Sequence, residues 1–330
     1  MADILVVGGA GYIGSHMCKL LHLNDHTPIV LDNLAHGHRE AVRWGPLFEG
    51  SITWKELLGS IFSEYDVKVV MHFASYCYVG ESMTDPGKYY ENNVGGTVCL
   101  LRSMVEHGIS NLIFSSSCAT YGEPVEIPIS ETHPQNPISP YGRTKLMVEQ
   151  ILDDFEKAHG LESVSLRYFN AVGADPEGEI GEDHDPETHL IPLLLQTALG
   201  QREYIEVFGD DYGTKDGTCI RDYIHVNDIA QAHLLAMDRL MGGKGSGRYN
   251  LGNGRGYSVR EVLEVAREVT GEKIPVRIAS RREGDPAVLI SAGLKAAEEL
   301  GWEPRLNDLE TMVATAWAWQ RANSKGYERR

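Results

Sequence analysis

The chain has 330 residues, enough to bury a large core as one large domain or two interlocked domains. Its formal net charge is -17, with 47 acidic and 30 basic residues, which argues against a nucleic-acid or anionic-membrane partner because those surfaces are bound by clustered Lys and Arg. No apolar stretch approaches the ~20 residues needed to cross a bilayer, the N-terminus lacks a signal-peptide pattern, and the five cysteines have no metal-ligand or disulfide spacing. We therefore expect a cytoplasmic protein with reduced thiols and no bound metal.

The first predicted elements form a dinucleotide-binding unit. The apolar run 4–7 predicts a buried strand that leads into Gly8, Gly11 and Gly14, then into a helix and a second strand ending at Asp32. Gly8 permits a tight turn, Gly11 lets the backbone approach a pyrophosphate at the positive end of the helix dipole, and Gly14 allows close helix–strand packing. Asp32 would accept hydrogen bonds from an adenine-ribose diol and repel a 2′-phosphate, which favours NAD over NADP. A glycine-rich turn that binds nothing is the alternative, and the ordered strand, helix and terminal acid argue against it.

Strands and helices continue to alternate through the first half of the chain. Further strand-like runs are 47–49, 67–74, 112–117 and 164–170, and helical segments include 53–65 and 89–107. The next helix has Ser139 as N-cap, Pro140 as its first residue and Gly160 as its stop signal. This alternation predicts an α/β fold, a doubly wound parallel Rossmann sheet with right-handed crossovers.

The pattern changes beyond about residue 171. Residues 173–189 are acidic and rich in Pro and Gly, which predicts a long loop, and 242–247 form a flexible connection. Shorter helices are predicted at 258–270, 294–301 and 308–321. We expect residues 1–170 to form an NAD-binding Rossmann domain and 171–330 a smaller C-terminal α/β substrate lobe, with 221–241 returning to the first domain as a strand and a helix.

Three polar residues make a candidate catalytic group. Tyr141 and Lys145 are the one Tyr-x-x-x-Lys pair in the sequence, and residues four apart share a helix face. A phenol titrates near ~10, and a neighbouring ammonium and a positively charged nicotinamide would both favour the phenolate. Ser117 ends a predicted strand at its carboxyl edge, where α/β sheets bind ligands. The alternative is a surface Tyr and Lys on an amphipathic helix.

Several short motifs follow one another along the chain. They are Tyr12-Ile13-Gly14-Ser15, His72-Phe73-Ala74, Val79-Gly80-Glu81-Ser82, Asn92-Asn93, Ser139-Pro140-Tyr141-Gly142, Leu166-Arg167-Tyr168-Phe169-Asn170, Arg221-Asp222-Tyr223-Ile224-His225-Val226 and Arg281-Arg282-Glu283-Gly284-Asp285. In this combination the sequence resembles the UDP-glucose 4-epimerase family of the extended short-chain dehydrogenase/reductase superfamily. The resemblance runs from residue 3 to about residue 320 and covers both lobes.

The resemblance implies an isomerase that interconverts UDP-glucose and UDP-galactose by transient oxidation at C4 with tightly bound NAD. It implies NAD contacts at Gly8, Gly11, Tyr12, Ile13, Gly14, Asp32, Asn33, Ser51, Ile52, Phe73, Ala74, Asn93, Tyr141, Lys145 and Phe169. Ser117, Tyr141 and Lys145 match the catalytic residues. The C-terminal lobe would bind the nucleotide sugar, with contacts from Ser117, Asn170, His189, Phe208, Arg221, Arg282, Asp285 and Leu289.

Some of these substrate contacts have more specific roles in the resemblance. The two arginines match residues on the diphosphate, a use that suits guanidinium geometry. Asp285 matches a residue on the uridine ribose, Phe208 an aromatic near the uracil, and Leu289 a residue near the sugar's 2-position. In the family a tyrosine at this last position is associated with rejecting N-acetylated sugars and a smaller residue with accepting them. Leucine is shorter than tyrosine, so the resemblance implies weaker activity on UDP-N-acetylglucosamine and UDP-N-acetylgalactosamine beside that on UDP-glucose and UDP-galactose.

Other positions depart from the family's usual pattern. Cys77 stands where the family often has a lysine that contacts the cofactor, and Ser51 where an aspartate commonly meets the adenine. Both changes weaken the expected cofactor contacts without moving their location. His189 replaces an amide-bearing residue, and its imidazole can still donate to a phosphate. Cys118, which follows Ser117, is interpreted as a packing residue.

Two other classes of function remain open on this scaffold. A nucleotide-sugar dehydratase or decarboxylase is one, but a dehydratase would need an acid pair just after Ser117, where Cys118 and Ala119 stand. A regulator that senses NAD is the other, and it would have no use for Ser117, Tyr141 and Lys145 together. By analogy, helices 93–107 and 140–159 would pair across a two-fold axis in a homodimer.

Overall fold

The computed structural model describes residues 1–282 and 285–327. The strands in these ranges are β1 Asp3–Val7, β2 Thr27–Asp32, β3 Leu47–Glu49, β4 Val67–His72, β5 Asn111–Ser117, β6 Glu162–Tyr168, β7 Asn170–Val172, β8 Ile205–Phe208, β9 Ile220–His225, β10 Gly247–Leu251, β11 Gly256–Ser258, β12 Val276–Ala279 and β13 Val288–Leu289. The α-helices are α1 Tyr12–Leu23, α2 Lys55–Glu64, α3 Val79–Thr84, α4 Pro86–Tyr89, α5 Thr97–Glu106, α6 Pro140–His159, α7 Leu190–Ala198, α8 Val226–Met241, α9 Val259–Thr270, α10 Leu294–Leu300 and α11 Leu309–Ala322.

The first lobe is a seven-stranded parallel sheet with the order β3-β2-β1-β4-β5-β6-β10. Successive side chains of a strand point to opposite faces, and both faces of β1 are buried. Ile4 and Val6 join a core with α1 and α8, whereas Leu5 and Val7 join a core with α2, α5 and α6. Helices therefore cover both faces, which confirms the predicted doubly wound Rossmann sheet.

Local signals in the sequence placed the long helix α6 correctly. The Ser139 side chain accepts a hydrogen bond from the N–H of Gly142 at 3.1 Å, and Gly160 ends the helix with φ 67°. The predicted helix 89–107 has a different interior, because residues Tyr90–Gly96 form a π-helical segment between α4 and α5. Such segments are commonly found at functional sites, and this one contains Asn93.

The second lobe combines short strands with three helices. β9 pairs with β7, β11 and β13, while β8 pairs with β12. α7, α9 and α11 pack together around one apolar core. The predicted strand 164–170 is divided here: β6 ends at Tyr168 in the first sheet, and β7 begins at Asn170 in the second. Phe169 is thus the point at which the chain passes between the lobes.

The chain crosses between the lobes more than once. Residues 221–241 were expected to return to the first lobe as a strand and a helix. This is confirmed for α8, which packs in the core of β1 and α1. It is wrong for β9, which belongs to the sheet of the second lobe. β10 then adds a seventh strand beside β6, which the sequence analysis did not anticipate. The boundary at residue 170 stays a prediction.

Among residues 1–282 and 285–327, no helix has both the length and the apolar character needed to cross a membrane.

Candidate functional site

The three glycines between β1 and α1 differ in whether the structure leaves room for a side chain. Gly8 has φ +85°, and a Cβ on it would lie 2.5 Å from the Ala74 nitrogen. A Cβ on Gly14 would lie 2.2 Å from the Gly8 carbonyl oxygen. A Cβ on Gly11 would meet that same oxygen at 3.4 Å, an ordinary contact. The protein's own packing thus requires glycine at 8 and 14, whereas Gly11 leaves space beside the start of α1.

This space has the properties of an anion site. α1 begins without a side-chain cap at Gly11, so the first N–H groups of the helix can donate to a ligand at the positive end of the dipole. Tyr12 and Ile13 supply those groups, while the Tyr12 hydroxyl donates to the Gly173 carbonyl at 2.6 Å and Ile13 packs against the core. The residues present therefore fit the pyrophosphate of a dinucleotide.

Asp32 ends β2 beside this turn. Its two carboxylate oxygens accept from the N–H groups of Ala10 at 3.0 Å and Leu34 at 2.8 Å. Burial raises the pKa of Asp32, and these hydrogen bonds oppose the rise. The carboxylate therefore stabilises the glycine turn itself, and each oxygen keeps a lone pair for a ribose hydroxyl. The neighbouring Asn33 is exposed, and its side chain accepts from the N–H of Ala35 at 3.1 Å.

The other predicted cofactor residues follow β3 and β4. Ser51 hydrogen-bonds to the Thr53 hydroxyl at 2.8 Å, and Ile52 is buried. Phe73 and Ala74 both donate their backbone N–H groups to the Val7 carbonyl, at 2.7 and 3.0 Å. These contacts bring the ends of β1 and β4 together at the carboxyl edge of the sheet, where the sequence placed the cofactor.

Asn93 lies on the π-helical segment with its amide fully engaged. Its Oδ1 accepts from the N–H of Tyr76 at 2.9 Å, and its Nδ2 donates to the Tyr76 carbonyl at 3.0 Å and to the Thr144 hydroxyl at 3.2 Å. The side chain therefore joins the segment after β4 to α6. Its expected contact with NAD stays a prediction.

The catalytic candidates converge between β5 and α6. Ser117 is the last residue of β5, Tyr141 is the second residue of α6, and Lys145 lies one turn further on. The Lys145 Nζ is 5.7 Å from the centre of the Tyr141 ring and donates to the Ser115 carbonyl at 2.7 Å. Burial lowers the pKa of Lys145 to about 8. The ammonium thus lies beneath the phenol, as the spacing of four residues predicted.

Burial is the main influence on the pKa of Tyr141. Burial raises the pKa of the phenol above its usual value, and the Cys77 thiol adds to this, while the Ser117 side chain opposes it. Desolvation of the phenolate is the largest of these influences. The lowering expected from Lys145 together with a nicotinamide stays a prediction. A positively charged nicotinamide would act against this rise. Ser117 also accepts from the N–H of Ala119 at 3.1 Å.

The predicted substrate residues of the second lobe form pairs with one another. Arg221 makes an ion pair with Asp285, and the Arg282 guanidinium lies 3.9 Å from the centre of the Phe208 ring. The Asn170 amide donates to the Asp222 carbonyl at 2.8 Å, joining β7 to β9. Glu283 and Gly284 of the Arg-Arg-Glu-Gly-Asp motif lie outside the described residues.

Leu289 reaches the boundary between the lobes. It packs with Cys118 against the small apolar cluster of Tyr121, Ile129 and Phe169. Cys118 directly follows Ser117, so this position suits a residue that forms one wall of the sugar pocket. Burial raises the pKa of the Cys118 thiol to about 12, which agrees with a packing residue rather than a nucleophile.

His189 belongs to a charged cluster in the loop between β7 and α7, formed by Glu182, His184, Glu187 and His189. Each residue offers one nitrogen or oxygen atom that could bind a metal, and these four atoms all lie within 4.8 Å of one another. Burial alone would raise the pKa of Glu182, but His189 and His184 hold it at about 2. Burial would lower the pKa of His184, yet Glu182 and Glu187 raise it well above the usual value. These directions indicate imidazolium ions paired with carboxylates. The absence of a metal stays a prediction.

Sequence reasoning selected His189 in this cluster but missed its other three members. The available signal was the alternation of carboxylates and imidazoles in residues 182–189. On its outer side the cluster borders a cavity of about 780 Å³, whose lining includes His184, Glu187, Arg202 and Lys325.

The chain is similar to proteins of known family. Residues 4–252 match the NAD dependent epimerase/dehydratase family. The UDP-glucose 4-epimerase of Halalkalibacterium halodurans is 55% identical over 324 residues, which cover 98% of this chain and 97% of that protein.

Two solved structures share the fold. The UDP-glucose 4-epimerase from Brucella ovis, in complex with NAD, is 52% identical with a TM-score of 0.94, over 96% of this chain and 98% of that one. The enzyme from Bifidobacterium longum, in complex with NAD+ and UDP, is 38% identical with a TM-score of 0.94, over 98% and 100% of the two chains. The chain belongs to the NAD dependent epimerase/dehydratase family and, within it, to the UDP-glucose 4-epimerases.

Proposed function

We propose that this protein interconverts UDP-glucose and UDP-galactose by oxidising and then re-reducing C4 of the sugar. The observation that carries the proposal is the group of Ser117, Tyr141 and Lys145 at the carboxyl edge of a sheet that also holds the glycine turn. Bound NAD would supply the redox chemistry by accepting a hydride from C4 and returning it. The similarity to epimerases with NAD, or with NAD+ and UDP, supports the assignment.

Each catalytic side chain has a role that follows from its position. The Tyr141 phenol oxygen would take the proton of the sugar's 4-hydroxyl and later return it. Lys145, fixed by the Ser115 carbonyl, favours the phenolate by its charge. Ser117, the last residue of β5, can orient the 4-hydroxyl or share a proton with Tyr141.

Epimerisation requires a firm hold on the nucleotide and a loose hold on the sugar. Arg221 and Arg282 are the groups for the diphosphate, Asp285 for the uridine ribose and Phe208 for the uracil. In this structure Arg221 is paired with Asp285 and Arg282 lies against Phe208, so UDP binding would exchange these contacts for contacts with the ligand. Asn170 and His189 complete the proposed substrate residues.

The cofactor is regenerated in each cycle and should remain bound. The direct test is to incubate the purified protein with UDP-galactose, without added NAD, and to measure UDP-glucose. Nucleotide released on denaturation should be NAD, because the Asp32 carboxylate at the ribose would repel the 2′-phosphate of NADP. A stoichiometric load of NADP would contradict this role of Asp32, and absence of UDP-glucose from NAD-loaded protein would contradict the function.

A dehydratase or decarboxylase is less well supported. The short turn Cys118–Thr120 follows Ser117 directly and offers no acid pair to protonate a leaving hydroxyl.

We also propose a homodimer formed through the helical surface of α5 and α6, by analogy with related dimers. The partly exposed Met147 on α6 supplies apolar surface there, and sedimentation velocity would test the oligomeric state.

A further inference from the structure

His184 lies between the glycine turn and the segment that follows β4. The centre of its ring is 6.4 Å from that of Tyr12, the first residue of α1, and 6.2 Å from that of Tyr78. Both rings meet the imidazole edge-on, at 88° and 89°. The loop between β7 and α7 thus places an imidazole against the side chain of Tyr12, the residue whose backbone N–H belongs to the proposed anion site.

The surroundings of His184 favour its charged form. Its Nδ1 is 3.2 Å from a Glu182 carboxylate oxygen and 3.8 Å from one of Glu187. The side chain is 12% exposed, so these charges interact with little screening by water. Both ion pairs use Nδ1, and an imidazolium carries a second N–H donor at Nε2.

Other cations near the glycine turn have partners or a role already. The Lys19 ammonium on α1 contacts Asp175, Glu177 and Glu179, each at 2.7 to 2.8 Å. Lys145 lies beneath Tyr141. The His184 ring lies 6.2 Å from that of Tyr78, the residue after Cys77, so the imidazole is beside the segment where a lysine at residue 77 would place its charge.

We propose that His184, as an imidazolium held by Glu182 and Glu187, donates to the pyrophosphate of the bound dinucleotide and replaces the charge of the lysine that residue 77 lacks. This inference rests on the proposed function, since it assumes that the cleft binds NAD. The titratable groups that face His184 come from several elements: Glu182, Glu187 and His189 from its own loop, Tyr12 from α1, Cys77 and Tyr78 from the segment after β4, and His36 from the loop after β2.

The first experiment measures NAD affinity in the absence of substrate. His184→Gln in the full-length protein, stripped of dinucleotide, should bind NAD about 10- to 100-fold more weakly, the range for a lost hydrogen bond between charged groups. Adding Cys77→Lys to His184→Gln should restore the affinity. His107→Gln is the matched control, because His107 follows α5 and its Nδ1 contacts the Ser103 carbonyl at 2.8 Å within that helix end, away from the glycine turn.

The pH dependence separates a charge effect from a packing effect. The pKa of His184 is raised, so its charge is present below that pKa and is lost as the pH rises through it. NAD affinity of the wild type should therefore fall with rising pH, and the Cys77→Lys, His184→Gln double variant should lose this dependence because lysine remains charged. Glu187→Gln keeps the imidazole and should move the fall to lower pH, which provides a second test if His184→Gln does not fold.

The outcomes are distinguishable. Wild-type NAD affinity in folded His184→Gln would overturn the proposal. The proposal would also be overturned if His184→Gln bound NAD weakly, Cys77→Lys did not restore the affinity, and the NAD affinity of the wild type did not depend on pH. That result would assign His184 a packing role. Normal NAD binding in the wild type without conversion of UDP-galactose would instead contradict the proposed function.

Discussion

The two sides of the cleft are held together in different ways. On the side of the glycine turn, backbone groups fix the functional side chains: Asp32 accepts from two backbone N–H groups, and Lys145 donates to the Ser115 carbonyl. On the side of the second lobe, Asn170 and Arg221 also donate to backbone carbonyls, but two pairs of functional side chains contact each other, Arg221 with Asp285 and Arg282 with Phe208. A backbone contact is set by the sheet, whereas a pair of side chains can exchange its partner for a ligand.

This difference indicates which kinetic constant each side controls. The first side is arranged before the substrate arrives, so a change there should reduce the chemical step and leave substrate binding intact. The second side must release its internal contacts when the nucleotide binds, so a change there should act mainly on affinity. Four substitutions test the distinction.

Tyr141→Phe should have the largest effect. Removing the phenol oxygen removes the group that exchanges the proton of the 4-hydroxyl, so kcat should fall by about 10²- to 10⁴-fold, the usual contribution of general acid–base catalysis. The KM for UDP-galactose and the NAD content should stay near their wild-type values. A coupled assay for UDP-glucose measures the rate, and near-wild-type turnover would show that Tyr141 is not the base.

Arg282→Leu should raise the KM for UDP-galactose by about 10- to 100-fold with a small change in kcat, since a hydrogen bond to a charged group contributes about 1.5–3 kcal/mol. Arg281→Leu is the control, because the neighbouring Arg281 ion-pairs with Asp211 at 2.7 Å and lies over Tyr212 at 4.2 Å. Steady-state kinetics of both variants gives the comparison. Equal effects at the two positions would contradict a diphosphate role for Arg282.

Leu289→Tyr should change sugar selectivity. Leu289 lies in the apolar cluster that includes Phe169, and its side chain is shorter than that of tyrosine, so the wild type should have weak activity on UDP-N-acetylglucosamine. The larger ring should lower kcat/KM for that sugar relative to UDP-glucose by about tenfold, within the range of ~1–3 kcal/mol for a methylene-sized change in a pocket. If the wild type is inert on the acetylated sugar, or the ratio does not change, Leu289 is not the selective residue.

Ser117→Ala should have the smallest effect of the four. Its hydroxyl offers a neutral hydrogen bond, worth about 0.5–1.5 kcal/mol, and a water molecule can take its place, so kcat should fall by about tenfold or less. The same coupled assay applies, and NAD content reports on the integrity of the cleft. A loss as large as that of Tyr141→Phe would make Ser117 an essential partner in the proton transfer.

Features that depend on neighbouring residues in sequence were predictable. Ser139, Pro140 and Gly160 define α6 by local hydrogen bonding and backbone conformation, and the spacing of Tyr141 and Lys145 follows from helix geometry. The glycine turn was predictable for the same reason, since its three glycines and the strand before them are contiguous.

Features that depend on distant partners were not predictable from one sequence. The pattern of residues 220–225 predicts a strand but does not specify its sheet, and the structure pairs β9 with β7 rather than with the first sheet. The pKa of Tyr141 depends on burial by several elements, which no local pattern reports. His184 approaches Tyr12 through a long loop, so its role could not be read from the residues beside it.

The position of β10 beside β6 has a consequence for dividing the protein. A fragment that stops at residue 170 contains the whole glycine turn, yet it lacks α8, which covers one face of β1, and β10, which covers the edge of β6. An uncovered strand edge is a template for pairing with other chains, so such a fragment should aggregate before it can be used as a dinucleotide module. Split-protein or fusion designs that need this module should keep residues 1–251 together with residues 294–302, because Ala296 and Trp302 belong to the same core.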